Sequence, residues 1–120
     1  MYIDKLFNLK NKVAVITGAG GHLCSEMAIT LARAGCKLAL LDLRIEKSRS
    51  IQEKINKEGF TETISIQMDV SSKAEFKKAL EQILNTFSEV DILINGAGIN
   101  GATPFLEIDS NEWDSIMDSQ

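Results

Sequence analysis

The chain has 120 residues, 44% hydrophobic and 25% charged, with a formal net charge of −4 at pH 7. That composition fits one globular domain or part of one, long enough to bury a core. The acidic balance argues against a nucleic-acid or anionic-membrane surface, which would need clustered Lys and Arg, and no apolar run approaches the ~18 residues of a membrane span.

The first eleven residues read as a tether, with Leu6, Phe7 and Leu9 available to dock. An acid, several bases and the absence of a long apolar core exclude a secretory signal. Val13 to Ile16 is a continuous β-branched and apolar run, the pattern of a strand covered on both faces. Gly18, Gly20 and Gly21 follow. From His22 to Ala34, Leu23, Met27, Ala28, Leu31 and Ala32 recur at helical spacing, and Gly35 supplies a left-handed stop. Lys37 to Leu41 is a second buried-type strand, ended by Asp42.

Arg44 to Glu58 reads as a surface helix with Ile45, Ser48, Ile51, Gln52 and Ile55 on one face, closed by Gly59. Thr63 to Met68 is the third strand and Asp69-Val70 ends it. Ser72-x-x-Glu75 is a capping box that opens a helix reaching Phe87, with Phe76, Ala79, Leu80, Ile83, Leu84 and Phe87 facing inward. Val90 to Ile94 is the fourth strand, followed by Asn95-Gly96-Ala97-Gly98. A loop with Gly101 and Pro104 leads to Asp109-x-x-Glu112, a second capping box, and a last helix begins with Trp113, Ile116 and Met117.

Strands alternating with helices of this length specify an α/β fold: a parallel sheet with right-handed crossovers and helices on both faces. The expected strand order is 3-2-1-4, the first half of a doubly wound sheet. The fourth strand is too apolar for an open edge, which would invite aggregation. The expectation is therefore that residues 1–120 are the N-terminal, dinucleotide-binding part of a single domain that continues beyond residue 120. Cys24 and Cys36 form no Cys-x-x-Cys pair and have no pair of histidines nearby. They read as two small apolar residues in a reducing cytoplasm, with neither a disulfide nor a metal site expected.

The turn after the first strand has a chemical role. A pyrophosphate suits a helix N-terminus, where unpaired N–H groups and the helix dipole point outward. Gly18 fits the tight turn, and Gly20 and Gly21 fit a close backbone approach to phosphates. The position that lets helix and strand pack closely falls near Cys24. Asp42 lies 24 residues after Gly18, at the end of the second strand. Its carboxylate can accept hydrogen bonds from an adenosine ribose diol and would repel a 2′-phosphate, which favours NAD(H) over NADP(H). Arg44 softens that preference if its side chain reaches the same spot, but it also reads as a solvated first-turn residue. Asp69 and Val70 either hold an adenine or cap the next helix.

These residues together resemble the short-chain dehydrogenase/reductase family. The likeness rests on Thr17-Gly18 after strand one, Asp42 after strand two, Asp69-Val70 after strand three, Asn95-Gly96-Ala97-Gly98 after strand four, and Glu112-Trp113-Asp114 at the last helix. The resemblance implies a Rossmann-type fold and hydride transfer between NAD(P) and an alcohol or carbonyl substrate. It also implies a full length near 250 residues and a dimer or tetramer built from later helices. Thr17 and the Asn95–Gly98 segment would border the cofactor, with Asn95 stabilising the central strands.

The turn departs from the common pattern, which would place glycines at His22 and Cys24. Asn95-Gly96-Ala97-Gly98 is similar to the family's Asn-Asn-Ala-Gly with the second Asn replaced. The Gly20-Gly21-His22-Leu23 turn is similar to that of bacterial sugar-acid oxidoreductases of the mannonate/fructuronate type, and the chain is also similar to 3-oxoacyl reductases. By the resemblance His22 sits near the pyrophosphate, either contacting phosphate or standing exposed. The family's catalytic Ser and Tyr-x-x-x-Lys would follow residue 120, so the segment alone would be inactive. Its catalytic Asn falls on Gln120, whose longer arm would alter the proton relay. Two other readings stay open: a non-catalytic NAD-binding sensor, suggested by the altered turn and Gln120, and a nucleotide-sugar epimerase-like protein, suggested by Gly18-x-x-Gly21.

Overall fold

The computed structural model describes residues 1–98 and 102–119. Strand β1 (Val13–Thr17) is buried at every position, because successive side chains enter two different cores. Ala14 and Ile16 join one layer, while Val13 and Val15 join the other. The unbroken apolar run in the sequence is thus the signature of a central strand.

Helix α2 (His22–Arg33) and helix α3 (Ile45–Glu58) cover the first face of the sheet. Cys24, Ala28 and Ala32 of α2 and Ile51 and Ile55 of α3 pack there against Leu38 and Leu40 of β2 (Lys37–Asp42). Helix α4 (Lys73–Phe87) covers the other face. Its Ala79, Ile83 and Phe87 meet Val13, Val15, Ala39, Leu41 and Ile66, the last from β3 (Thr63–Gln67). Each fully buried aliphatic side chain contributes about 1.5–3 kcal/mol, so Ile16, Leu38, Leu40, Leu41 and Ile55 anchor the fold.

The sheet is parallel, in the order β3-β2-β1-β4, with β4 spanning Ile92–Asn95. That is the predicted doubly wound order. Register brings the strand ends level: Thr17 pairs with Leu41 on one side and Asn95 on the other, and Asp42 pairs with Gln67. The sequence segments that follow β1, β2, β3 and β4 therefore meet along one edge.

Several local expectations change. The buried stripe of α2 is Cys24, Ser25, Ala28 and Ala32, while Leu23 is 66% exposed and Met27 is also outside. Cys24, Ala28 and Ala32 stand four residues apart and share the stripe that meets the sheet, while Leu23 and Met27 each fall one position off it. On α4, Ala79, Ile83 and Phe87 face in, while Phe76, Leu80 and Leu84 are at least partly exposed on the neighbouring stripe. The predicted tether holds a short helix, α1 (Tyr2–Leu6), and only Leu9 packs on the core; Leu6 and Phe7 stay exposed. Val90 lies outside β4, whose Leu93 is 54% exposed along the sheet edge.

Both predicted capping boxes start helices, but only their forward bonds form. Ser72 Oγ accepts the Glu75 N–H at 3.3 Å, while the Ser72 N–H donates to the Asp69 carbonyl. Asp109 Oδ1 accepts the Glu112 N–H at 2.7 Å at the head of α5 (Ser110–Ser119). A short 3-10 turn, Phe105–Glu107, precedes α5.

Strand β4 is fastened at its start by Asp91. Asp91 Oδ2 accepts the Val13 N–H at 2.8 Å, and the Asp91 N–H donates to the Val13 carbonyl at 2.9 Å. Asp91→Ala leaves the buried Val13 donor unaccepted and is expected to cost about 1–3 kcal/mol. Urea unfolding of the full-length protein checks this: the midpoint falls for Asp91→Ala and falls less for Asp91→Asn, which keeps an acceptor oxygen. An unchanged midpoint for the alanine variant would refute the clamp.

Candidate functional site

At the sheet edge where the strands end, a cleft of about 750 Å3 opens, within the usual range for small-molecule and cofactor pockets. The β1–α2 turn forms its base. Gly18 adopts φ +66°, and a Cβ there would press within 2.9 Å of the Gly96 carbonyl and the Ala97 backbone. The glycine therefore serves both the left-handed conformation and a close backbone crossing. The Gly21 N–H donates to the Gly18 carbonyl at 3.0 Å, and the Ala19 N–H reaches the Leu41 carbonyl of β2 at 3.1 Å. Gly21 is the N-cap of α2 and no side chain caps the helix, so the first N–H groups of α2 stand available to an anion.

Gly20 has a different reason to be glycine. A Cβ there would collide with Lys47 of α3 and come within 3.0 Å of Asp42 Oδ2. Its N–H donates to that same oxygen at 3.0 Å. The other Asp42 oxygen, Oδ1, accepts the Arg44 N–H at 2.9 Å. Both oxygens of Asp42 are thus held by backbone donors, one from each side of the cleft's floor, and each retains a further lone pair.

The far wall is the segment after β4. Thr17 is 2% exposed, and its Oγ1 accepts the Gly96 N–H at 3.1 Å and the Ala97 N–H at 3.2 Å. One hydroxyl thus orients two consecutive peptide groups. Asp69 closes the opposite end: its Oδ1 accepts the Ser71 N–H at 2.9 Å and the Ser71 hydroxyl at 2.7 Å. Those two bonds hold the Asp69 carboxyl below its ordinary pKa. Cys24 and Cys36 are buried thiols, pushed above the ordinary cysteine pKa chiefly by burial, with the Asp42 carboxylate adding to the effect at Cys24 and Asp91 at Cys36.

Eight of the residues singled out from the sequence line the cleft: Gly18, Gly21, Asp42, Asp69, Val70, Gly96, Ala97 and Gly98. Thr17 and Gly20 stand behind it, acting through Gly96, Ala97 and Asp42. The side chains of His22 and Leu23 are exposed on the first turn of α2, and Asn95 is exposed at the end of β4, outside the cleft lining. Gln120 lies outside the described residues. The cleft also takes in Leu43, Arg44, Met68, Ser71 and, from α5, Ser115, Asp118 and Ser119. The α5 set was legible only as a spacing of three and four residues, one small polar stripe on a helix, which periodicity alone does not aim at any ligand.

Comparison with known proteins follows the same outline. The family model described as short chain dehydrogenase matches residues 12–120. The chain is 41% identical over 105 residues to the uncharacterized oxidoreductase UxuB of Bacillus subtilis, covering 88% of this chain and 37% of that protein. It is 35% identical over 111 residues to 2-dehydro-3-deoxy-D-gluconate 5-dehydrogenase of Dickeya dadantii, covering 92% of this chain and 43% of that protein. Among solved structures, a short chain dehydrogenase/reductase from Burkholderia phymatum in complex with NAD superimposes with a TM-score of 0.86 at 30% identity, over 94% of this chain and 40% of that one. The chain thus spans about two-fifths of the length of these relatives. With the turn, the acid that ends β2 and the order of its strands all in place, and with the family model matched over residues 12–120, the chain belongs to the short chain dehydrogenase family.

Proposed function

We propose that the cleft binds a nicotinamide dinucleotide, NAD(H) ahead of NADP(H), and that the full-length protein moves a hydride between it and a secondary alcohol or the corresponding ketone. The observation that carries the NAD(H) preference is the Asp42 carboxylate, fixed at the cleft by the Gly20 and Arg44 N–H groups. A carboxylate so held accepts the two hydroxyls of an adenosine ribose without reorganising, and opposes a 2′-phosphate at the same point. Arg44 also borders the cleft, and its backbone N–H serves Asp42.

The remaining residues fit such a group. A Cβ at Gly21 would meet only the Gly18 carbonyl, at 3.1 Å, so the uncapped start of α2 leaves room for a pyrophosphate. Asp69 and Val70 suit the adenine. Gly96, Ala97 and Gly98 leave a backbone-lined wall beside the nicotinamide half. When bound, the cofactor supplies or takes up the hydride; the chain's own residues bind it and orient it.

The domain is proposed to continue beyond residue 120, a reading supported by the exposed edge of β4 and by the relatives' greater length. The Ser and Tyr-x-x-x-Lys set would come from that continuation, with Gln120 at the family's Asn position in the sequence, and residues 1–120 alone would not turn over substrate. A sugar acid is the favoured substrate class, supported by the name of the Dickeya dadantii relative and by the Gly20–Leu23 turn. The active form is proposed to be a cytoplasmic homo-oligomer, a dimer or tetramer.

Fluorescence titration of the full-length protein tests the cofactor reading: NADH binds more tightly than NADPH, and Asp42→Ala brings the two affinities within about threefold of each other. A clear NADPH preference in the unaltered protein would overturn the role of Asp42. Thr17→Val keeps the side chain's shape but strands the Gly96 and Ala97 N–H groups. With about 0.5–1.5 kcal/mol lost for each of the two hydrogen bonds, it should weaken NADH binding by about tenfold, and Thr17→Ser should restore most of it. Equal loss in the serine variant would mean that the methyl group, not the hydroxyl, matters.

A further inference from the structure

Two departures from the family's usual glycine pattern fall on residues that touch. Cys24 takes a position in the turn where the common pattern has glycine. Gly96 takes a position after β4 where a side chain is usual. A Cβ at Gly96 would collide head-on with Cys24 Sγ, while Cys24 Cβ would stand at an ordinary 3.5 Å. Only the sulfur stands in the way from the α2 side.

The space between α2 and the end of β4 therefore holds one side-chain group. Here it is supplied from the helix. Cys24 is 7% exposed and packs in the core layer with Ala28 and Ala32. It sits in the first turn of α2, immediately after the uncapped N-terminus that faces the cleft. Gly96, against which it presses, is the residue whose N–H is taken by Thr17 Oγ1.

We infer that Cys24 is a positioning residue for the cofactor cleft: its thiol, stacked on Gly96, locks the start of α2 and the Gly96–Gly98 wall into one rigid unit. This rests on the proposed nicotinamide cofactor for the identity of the ligand, but not for the packing itself. Thr17 fixes the wall by two hydrogen bonds and Cys24 fixes it by contact, so the wall cannot shift without breaking one or the other. The thiol acts here as a neutral filler, since burial keeps it protonated at neutral pH. A larger group at 24 would push the wall into the cleft and a smaller one would let it sag. At the adenine end, Asp42 is held by the Gly20 and Arg44 N–H groups and Asp69 by Ser71, not by hydrogen bonds to either residue of the pair.

A double-mutant cycle in the full-length protein tests the pairing. Gly96→Ala is expected to weaken NADH binding by about tenfold or more, and adding Cys24→Ala to recover at least about half of that loss on a logarithmic scale. Recovery stays partial because the Thr17 carbonyl would still lie 2.8 Å from the new methyl group. Cys24→Ala alone should loosen NADH binding several-fold, and Cys24→Ser, which keeps the size, should stay close to the unaltered protein. Adenosine, which carries no phosphate and needs only the adenine end, should bind all variants within about twofold. If Gly96→Ala does not fold, the Cys24→Ala and Cys24→Ser comparison of NADH against adenosine still decides. A double variant no better than Gly96→Ala, or adenosine affinity falling in step with NADH, would overturn the inference. If the unaltered protein binds neither NADH nor NADPH, the cofactor reading fails. The pairing is then judged from melting temperature, where Cys24→Ala must offset part of the drop caused by Gly96→Ala, and a purely additive drop refutes it.

Discussion

The site depends on the in-phase parallel register of β1 with its two neighbours. Because Thr17 pairs with both Leu41 and Asn95, the turns that follow β1, β2 and β4 arrive at the same height. A two-residue slip on either side would carry Asp42 or Gly96 about 7 Å along the strand, out of reach of Gly20 and Thr17. Register is itself enforced by burial on both faces. Val13 to Ile16 of β1 alternate between the two cores, so a one-residue slip would exchange the contents of the two layers.

From that alignment the cleft is assembled by backbone donors and one buried hydroxyl. Gly20 and Arg44 fix Asp42, and Thr17 fixes Gly96 and Ala97. None of these contacts spends a long, flexible side chain, so little conformational entropy is lost when a ligand binds. The glycines are divided among tasks. Gly18 accommodates a left-handed turn and a backbone crossing, Gly20 makes room for α3, and Gly96 makes room for Cys24. A glycine-rich turn read only as a phosphate cradle understates this: of these three positions, none is glycine solely because a phosphate must approach.

Much of the fold was legible because the chain is locally consistent. Strands of four to six residues alternate with helices from Val13 to Asn95, left-handed glycines follow α2 and α3, and each level of pattern specifies the same parallel sheet. The errors lie where helices meet layers. Periodicity identified α2 and α4 as amphipathic, but it ranked residues by hydrophobicity and so placed Leu23, Met27, Leu80 and Leu84 inward. The inner face is the stripe that meets the sheet: Cys24, Ala28 and Ala32 on α2, and Ala79, Ile83 and Phe87 on α4. Of the site, the strand-end residues Gly18, Asp42, Asp69 and Gly96 could be named in advance. His22, Leu23 and Asn95, named by adjacency to them, present exposed side chains outside the cleft.

By itself the sequence determined the element order, the parallel sheet and the presence of an acid at the end of β2. Those follow from local spacing, because strand ends in a parallel sheet with right-handed crossovers fall on one edge whatever the details of packing. Only the tertiary structure decided which atoms hold Asp42, why Gly20 and Gly96 tolerate no side chain, that Thr17 works from behind the cleft, and that α5 contributes to it. Apart from the Arg44 bond to Asp42, two residues away, those contacts join residues 22 to 80 apart in the chain, and a linear pattern of residue types does not encode a distance.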